Sequence, residues 1–200
     1  MAAEPNTARK VSNWSAPNII TIVRILFAPA FIWLLLVSAD TPSDPARWWA
    51  AALFVVGMAT DGIDGFIARR YNLVTDLGKI LDPIADKVLT GGALIGLSLT
   101  GDLPWWVTIV ILLREVGITV FRFAVLSKRV IPASRGGKLK TIFQFLAITS
   151  ALLPLALLWG DWVNTLNLVL MAIALVLTVV TGVMYLVEAW LHNRQAPASH

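Results

Sequence analysis

Six long apolar segments constrain this chain of 200 residues more than any other feature. A helix needs about 20 mostly apolar residues to cross the hydrocarbon core of a membrane. The segments are approximately Asn18–Val37, Trp48–Arg69, Leu81–Leu99, Trp105–Leu126, Thr141–Trp159 and Val163–Leu191. Charged residues make up only 14% of the chain, whereas soluble domains carry about 25%. We therefore predict an all-α integral membrane protein with six transmembrane helices, and a soluble globular fold is disfavoured.

These lengths leave room for one membrane domain and two short tails. We assign residues 1–17 to an N-terminal cytoplasmic or juxtamembrane segment, residues 18–191 to the six-helix domain and residues 192–200 to a C-terminal tail. A cleaved signal peptide is disfavoured, because the first apolar segment is long for one and carries Arg24.

The distribution of lysine and arginine predicts the orientation of the helices. Most of these residues lie at the ends or in alternate loops: Arg9, Lys10, Arg24, Arg69, Arg70, Lys79, Arg122, Lys128, Arg129, Arg135, Lys138, Lys140 and Arg194. The opposite loops hold only Arg47. Because positive loops stay in the cytoplasm, we expect both termini there, in a multi-pass protein of the inner (plasma) membrane. Six tryptophans form an aromatic belt at the opposite ends: Trp48, Trp49, Trp105, Trp106, Trp159 and Trp162.

Four aspartates lie within or beside the second and third segments, where an ionised carboxylate is costly. Asp61 and Asp64 are three residues apart, and Asp82 and Asp86 are four apart, so each pair shares one helix face. Each carboxylate could form its own ion pair, or the group could relay protons or ions. Carboxylate oxygens are also the ligands that Mg²⁺ prefers, and the chain has no cysteine. We favour a divalent-cation site that assists phosphoryl chemistry.

Small residues accompany these aspartates. Gly65, Ala68 and Gly78 lie on the same helix faces and would allow either a ligand or a second helix to approach closely. Gly92 and Gly96 form a separate G-x3-G pair on the third segment. That pair could pack helices within one chain or across a dimer.

The spacing of the aspartates and small residues resembles the signature of the CDP-alcohol phosphatidyltransferase family. The matching residues are Asp61, Asp64, Gly65, Ala68, Arg69, Gly78, Asp82 and Asp86. Three more segments resemble the members of that family that use glycerol 3-phosphate. These are Pro17–Arg24, Arg114-Glu115, and Gly137–Thr141 with Gln144.

The resemblance implies a six-helix membrane enzyme, usually a homodimer, with its site open to the cytoplasm. CDP-diacylglycerol would donate a phosphatidyl group and CMP would leave. The metal ligands, for two Mg²⁺ or Mn²⁺ ions, would be Asp61, Asp64, Asp82 and Asp86, and Asp86 would also be the catalytic base. The CDP-binding positions would be Asn18, Thr21, Asp64, Gly65, Ala68, Arg69 and Gly78. Membrane lipids are expected partners, and nucleic acid is not.

The prediction of the acceptor depends on five basic residues: Arg114, Arg122, Arg135, Lys138 and Lys140. Arg114 lies ten residues into the fourth segment, where it must face a polar cavity or pair with an acid such as Glu115. Its planar guanidinium suits a phosphate, so we favour sn-glycerol 3-phosphate as the acceptor, which would give phosphatidylglycerophosphate. Phosphatidylglycerol, the acceptor of a cardiolipin synthase, and inositol phosphate also carry a phosphate and stay open as alternatives.

The sequence also limits the mechanism. With no cysteine and with both histidines at the C-terminal end, no activated nucleophile is evident, which favours direct displacement over a covalent intermediate. A cation transporter is the alternative from a different class. Transporter sites lie near the middle of the membrane, whereas we expect these aspartates towards the cytoplasmic ends of their helices.

Overall fold

The computed structural model describes residues 15–41, 43–71, 75–125 and 135–195, and within these it gives only the backbone of residues 64, 68, 69, 76, 79, 122–125, 135, 136 and 192–195. The described residues form seven helices and no strand, which confirms the all-helical prediction. They are α1 (Ala16–Val37), α2 (Pro45–Arg70), α3 (Asp76–Leu99), α4 (Trp105–Val125), α5 (Arg135–Leu152), α6 (Ala156–Trp159) and α7 (Trp162–Gln195). Most of the two predicted tails lies outside the described residues.

The helix ends follow from local sequence. The Asp44 carboxylate accepts a hydrogen bond from the Ala46 amide at 2.7 Å, and Pro45 occupies the first turn of α2. Thr75 caps α3, because its hydroxyl accepts a hydrogen bond from the Gly78 amide at 3.0 Å. Gly160 has a φ of +89°, a backbone conformation that favours glycine and turns the chain into α7.

Two predicted segments have different boundaries in the structure. The third helix begins at Asp76 rather than at Leu81, because Thr75 provides a cap. The fifth segment, predicted to run to Trp159, instead ends as a helix at Leu152, and α6 follows separately. Pro154 lies between the two helices, and proline disfavours the continuation of a helix because it lacks an amide hydrogen and clashes with the preceding turn.

Three of the described helices are long and apolar enough to cross a membrane: Ala16–Val37, Pro45–Ile67 and Trp162–Leu191. Only about a quarter of each span is buried within the chain, so most of their apolar surface faces outwards. Helix α4 shares this pattern, with Leu113 69% exposed. Helix α3 instead carries charged residues along its first half. Large exposed apolar surfaces are typical of helices that contact lipid.

Helix packing brings α1, α2 and α3 together, joins α5 to α7, and places α4 between α3 and α7. Three phenylalanines link the two groups: Phe54 of α2 contacts Phe31 of α1 and stacks on Phe145 of α5. Gly92 and Gly96 of α3 face α1, where an added Cβ would lie 3.1 Å from Ile32 and 2.9 Å from Leu35. This G-x3-G pair therefore packs helices within one chain.

One end of the bundle, which we call the tryptophan end, carries Trp48, Trp49, Trp105, Trp106, Trp159 and Trp162. At this end Arg47, only 6% exposed, forms an ion pair of 2.7 Å with Asp102. The same guanidinium donates to the carbonyls of Ala151 and Leu152 at the end of α5. This single side chain ties the start of α2 to the α3–α4 loop and to the last turn of α5.

Candidate active site

Two side chains of α1 hold aspartates of α2 and α3 in position. Arg24 is 1% exposed and forms an ion pair with Asp61 of α2. One turn earlier on α1, the Thr21 hydroxyl donates a hydrogen bond to the Asp82 carboxylate of α3 at 3.1 Å. Residues on one helix therefore fix an aspartate on each of its two neighbours.

A second contact joins the start of α1 to the start of α3. The Asn18 amide donates to the Thr75 hydroxyl at 2.8 Å, and that hydroxyl caps α3 at Gly78. A Cβ at Gly78 would lie 2.8 Å from the Asn18 side-chain oxygen, so only glycine permits this approach. In this structure the small residue at position 78 serves close helix packing, and the CDP-binding roles of Asn18, Thr21 and Gly78 stay predictions.

Three aspartates remain accessible to a ligand. Asp61 keeps 45% of its side-chain surface exposed and Asp86 keeps 33%; Asp82 is also exposed. Arg24 and Thr21 are one turn apart on α1, so Asp61 and Asp82 lie beside the same stretch of that helix. The convergence of all four aspartates stays a prediction. The side chain of Asp64, the fourth member, lies outside what the structure describes.

The donor set fits a hard divalent cation. Asp61, Asp82 and Asp86 offer accessible carboxylate oxygens, which match the preference of Mg²⁺. Thr21 and Arg24 brace two of these carboxylates from the buried side, which leaves their exposed surface for other ligands. Among the described side chains, no three His, Cys, Asp or Glu residues already lie close enough together to hold an ion.

A buried charged cluster lies next to Asp86 and consists of Lys87, Arg114, Glu115 and Lys140; we call it the Glu115 cluster. Glu115 is 4% exposed, and all three cations contact its carboxylate: Lys87 at 2.8 Å, Arg114 at 3.1 Å, and Lys140. Lys87 also binds Asp86 at 2.6 Å. When Asp86 is counted with the cluster, three cations face two carboxylates, so one positive charge is in excess among these described side chains.

Arg114 is positioned by α7 as well as by Glu115. Its guanidinium donates a hydrogen bond to the Thr181 hydroxyl at 3.0 Å. A Cβ at Gly182 would lie 3.0 Å from Arg114 Cγ and 3.2 Å from Nε, so the arginine side chain rests directly on this glycine. The Nε atom of Arg114 is buried and has no hydrogen-bond partner among the described residues.

A cavity of about 40 Å³ separates Asp86 from α5. Its polar wall is formed by Asp86, Lys87, Glu115, Lys140 and Gln144, and its apolar wall includes Phe54 and Ile148. Gln144 is only 5% exposed, and its side-chain nitrogen has no hydrogen-bond partner in the described structure. The space is enough for a few water-sized groups.

The remaining predicted residues divide into two groups. Lys138 is exposed on the first turn of α5 and is not a member of the Glu115 cluster. Gly65 lies on α2 and is partly exposed. The side chains of Asp64, Ala68, Arg69, Arg122 and Arg135 lie outside the described residues, so those predictions stand as they were made.

The sequence reasoning missed several partners within the site. Asp61 pairs with Arg24 of α1, whereas Asp86 pairs with its neighbour Lys87. Thr181 and Gly182, which belong to the last apolar segment, hold Arg114. Glu115 was the sequence feature that indicated such a cluster, because a carboxylate inside an apolar helix requires cationic partners.

Comparison with known proteins identifies the family of this chain. The family model described as CDP-alcohol phosphatidyltransferase matches residues 14–180, and the chain belongs to this family. A protein of Mycobacterium tuberculosis named "Probable phosphatidylglycerophosphate synthase" is 45% identical over 194 residues, covering 94% of this chain and 90% of the relative. A CDP-diacylglycerol–glycerol-3-phosphate 3-phosphatidyltransferase of Bacillus subtilis is 35% identical, covering 88% and 96%. One of the same name from Rickettsia typhi is 38% identical, covering 84% and 93%.

Proposed function

We propose that this chain transfers the phosphatidyl group of CDP-diacylglycerol to sn-glycerol 3-phosphate, giving phosphatidylglycerophosphate and CMP. The names of its relatives support this assignment at nearly full length. The structural observation that carries it is the position of the buried Glu115 cluster beside Asp86. An excess positive charge there suits the phosphate of an acceptor whose hydroxyl must reach the aspartates.

We infer that Asp61, Asp64, Asp82 and Asp86 would hold one or two Mg²⁺ or Mn²⁺ ions. Bound ions would supply charge neutralisation at the phosphates of the donor. Arg24 and Thr21 keep the side chains of Asp61 and Asp82 oriented when no ion is bound. Gly65, Ala68, Arg69 and Gly78, together with Asn18 and Thr21, form the proposed cytidine diphosphate side of the site.

In the proposed reaction Asp86 accepts the proton of the attacking hydroxyl. The hydroxyl oxygen forms a bond to the phosphorus that carries the diacylglycerol, and the bond from that phosphorus to the oxygen of CMP breaks. CMP leaves with the electron pair, and the proton remains on Asp86. Lys87, at 2.6 Å, fixes the orientation of the Asp86 carboxylate.

The acceptor phosphate is proposed to bind at the basic residues Arg114, Arg122, Arg135, Lys138 and Lys140. Lys140 and Arg114 are already held in the site by their shared carboxylate, Glu115. Because Glu115 neutralises only part of the local positive charge, the remaining positive charge favours an anionic group such as a phosphate. Charge-assisted hydrogen bonds of this kind are stronger than neutral ones.

We also propose the finer arrangement in the membrane. Six spans would be formed by α1–α5 and α7, with both termini and the aspartates on the cytoplasmic side of the inner (plasma) membrane, and two chains would form a homodimer. The charge asymmetry of the loops supports this orientation. The six exposed tryptophans at the end that carries Arg47 and Asp102 suit the opposite interface.

An acceptor panel tests the proposed function. Purified protein with CDP-diacylglycerol and Mg²⁺ is given glycerol 3-phosphate, phosphatidylglycerol or inositol phosphate, and CMP release and lipid products are measured. We expect CMP only with glycerol 3-phosphate, and no CMP after chelation of divalent cations. Exclusive use of phosphatidylglycerol would instead identify a cardiolipin synthase, and full activity after chelation would reject the metal site.

A further inference from the structure

The feature that the proposed reaction leaves unused is the amide of Gln144. Its nitrogen is buried and has no hydrogen-bond partner among the described residues, and the residue lines the cavity beside Asp86. An unsatisfied buried donor is costly, so such a group is normally satisfied by water or by a ligand. The cavity is polar on the side formed by Asp86, Lys140 and Gln144, which suits a hydroxyl group.

The chemistry of the acceptor suggests which hydroxyl this is. In glycerol 3-phosphate the reacting hydroxyl and the phosphate lie on the two end carbons, and a second hydroxyl lies on the carbon between them. Asp86 and Lys140, which would receive the two ends, line the same cavity as Gln144. We expect an acceptor that contacts both of those residues to bring its middle hydroxyl close to Gln144.

We propose that Gln144 is a specificity-determining residue that recognises the middle hydroxyl of the acceptor. This inference rests on the proposed function and extends it to one atom of the substrate. Because the described part of the chain offers the amide nitrogen no partner, an acceptor without that hydroxyl leaves it unsatisfied. A site built around a hydrogen bond discriminates strongly against an analogue that lacks the bonding group.

The test compares glycerol 3-phosphate with 3-hydroxypropyl phosphate, which lacks only the middle hydroxyl. In the unaltered protein, kcat/KM should fall about tenfold or more with the analogue. In Gln144→Met, which keeps the side-chain length but removes the amide, the two acceptors should differ by about twofold or less. The matched control is Thr149→Val. Thr149 is on the same helix and also has a buried unpartnered oxygen, but it does not line the cavity.

Each outcome separates this inference from the proposed function. If the unaltered protein uses glycerol 3-phosphate but accepts the analogue equally well, no side chain recognises the middle hydroxyl and the inference fails. This outcome does not depend on whether Gln144→Met folds. Retention of full discrimination by Gln144→Met would also overturn it, because the cavity would then hold water only. If the unaltered protein does not use glycerol 3-phosphate, the proposed function itself fails.

Discussion

Two arginine–carboxylate sites, one around the buried Arg47 and one around the buried Glu115, differ in how completely their polar groups are satisfied. At the tryptophan end, Arg47 contacts Asp102 and two carbonyls at the end of α5. In the Glu115 cluster, three cations share one buried carboxylate, and Arg114 retains a buried nitrogen without a partner among the described residues. Arg47 has contacts that all lie within the fold, whereas the Glu115 cluster has excess positive charge and a buried donor without a partner among the described residues.

This difference distinguishes charged residues that stabilise the fold from charged residues that serve the reaction. A buried ion pair whose donors are all used stabilises an arrangement of helices, and removing one partner is costly for folding. A buried cluster with excess positive charge and unsatisfied donors is costly unless an anionic ligand completes it. We therefore expect substitutions at the tryptophan end to change stability, and substitutions around Asp86 and Glu115 to change the reaction.

The largest effect is expected for Asp86→Asn. Loss of the proposed base should lower kcat about 100- to 10,000-fold, measured as CMP release at saturating Mg²⁺, while binding of CDP-diacylglycerol largely survives. The matched control is Asp102→Asn, which removes a carboxylate that is also paired with a cation but lies at the tryptophan end. That control should keep its kcat. Near-normal turnover of Asp86→Asn would reject the role of base.

Much of the fold could be predicted from the sequence. Apolar segment length predicted the six long helices, because the bilayer sets a minimum length for a span. The end of α5 at Leu152 was missed although Pro154 signals it, because the apolar composition continues through to Trp159. Helix partners could not be predicted, since apolar faces of similar composition do not specify which neighbour they contact. Thus the packing of Gly92 against α1 needed the structure.

The candidate site was predictable where residues are close in sequence. The four-residue spacing of Asp82 and Asp86 placed them on one face, and α3 has this geometry. Contacts between distant segments were not predictable, because many cations were available to each aspartate. The pairing of Asp61 with Arg24 and that of Lys140 with Glu115 depend on how α1, α2, α4 and α5 pack.

A smaller effect is expected for Lys140→Met. Glu115 keeps Lys87 and Arg114 as partners in this variant, so the fold should tolerate it. The acceptor phosphate loses one charge-assisted hydrogen bond, and the KM for glycerol 3-phosphate should rise about 10- to 100-fold. Steady-state kinetics with each substrate varied in turn should show an unchanged KM for CDP-diacylglycerol.

Arg47→Met is the counterpart of that variant at the tryptophan end. It leaves Asp102 and the last carbonyls of α5 without their donor, so we expect a loss of about 1–3 kcal/mol in stability and unchanged KM values. Thermal unfolding in detergent measures the loss. If Lys140→Met lowers the unfolding temperature without changing the KM, or Arg47→Met changes the KM, the proposed contrast between the two sites is wrong.

The smallest effect is expected for Gly182→Ala, which probes the Glu115 cluster without changing a charge. The new methyl group would lie 3.0 Å from Arg114 Cγ, so the arginine must shift by a few tenths of an ångström and weaken its contact with Thr181. A misplacement of 1 Å can cost about 100-fold in rate, so this smaller shift should raise the KM for glycerol 3-phosphate about threefold. Gly117→Ala is the control, because a Cβ there meets no described atom within 4 Å. Equal KM values in the two variants would mean that the contact of Arg114 with α7 serves packing alone.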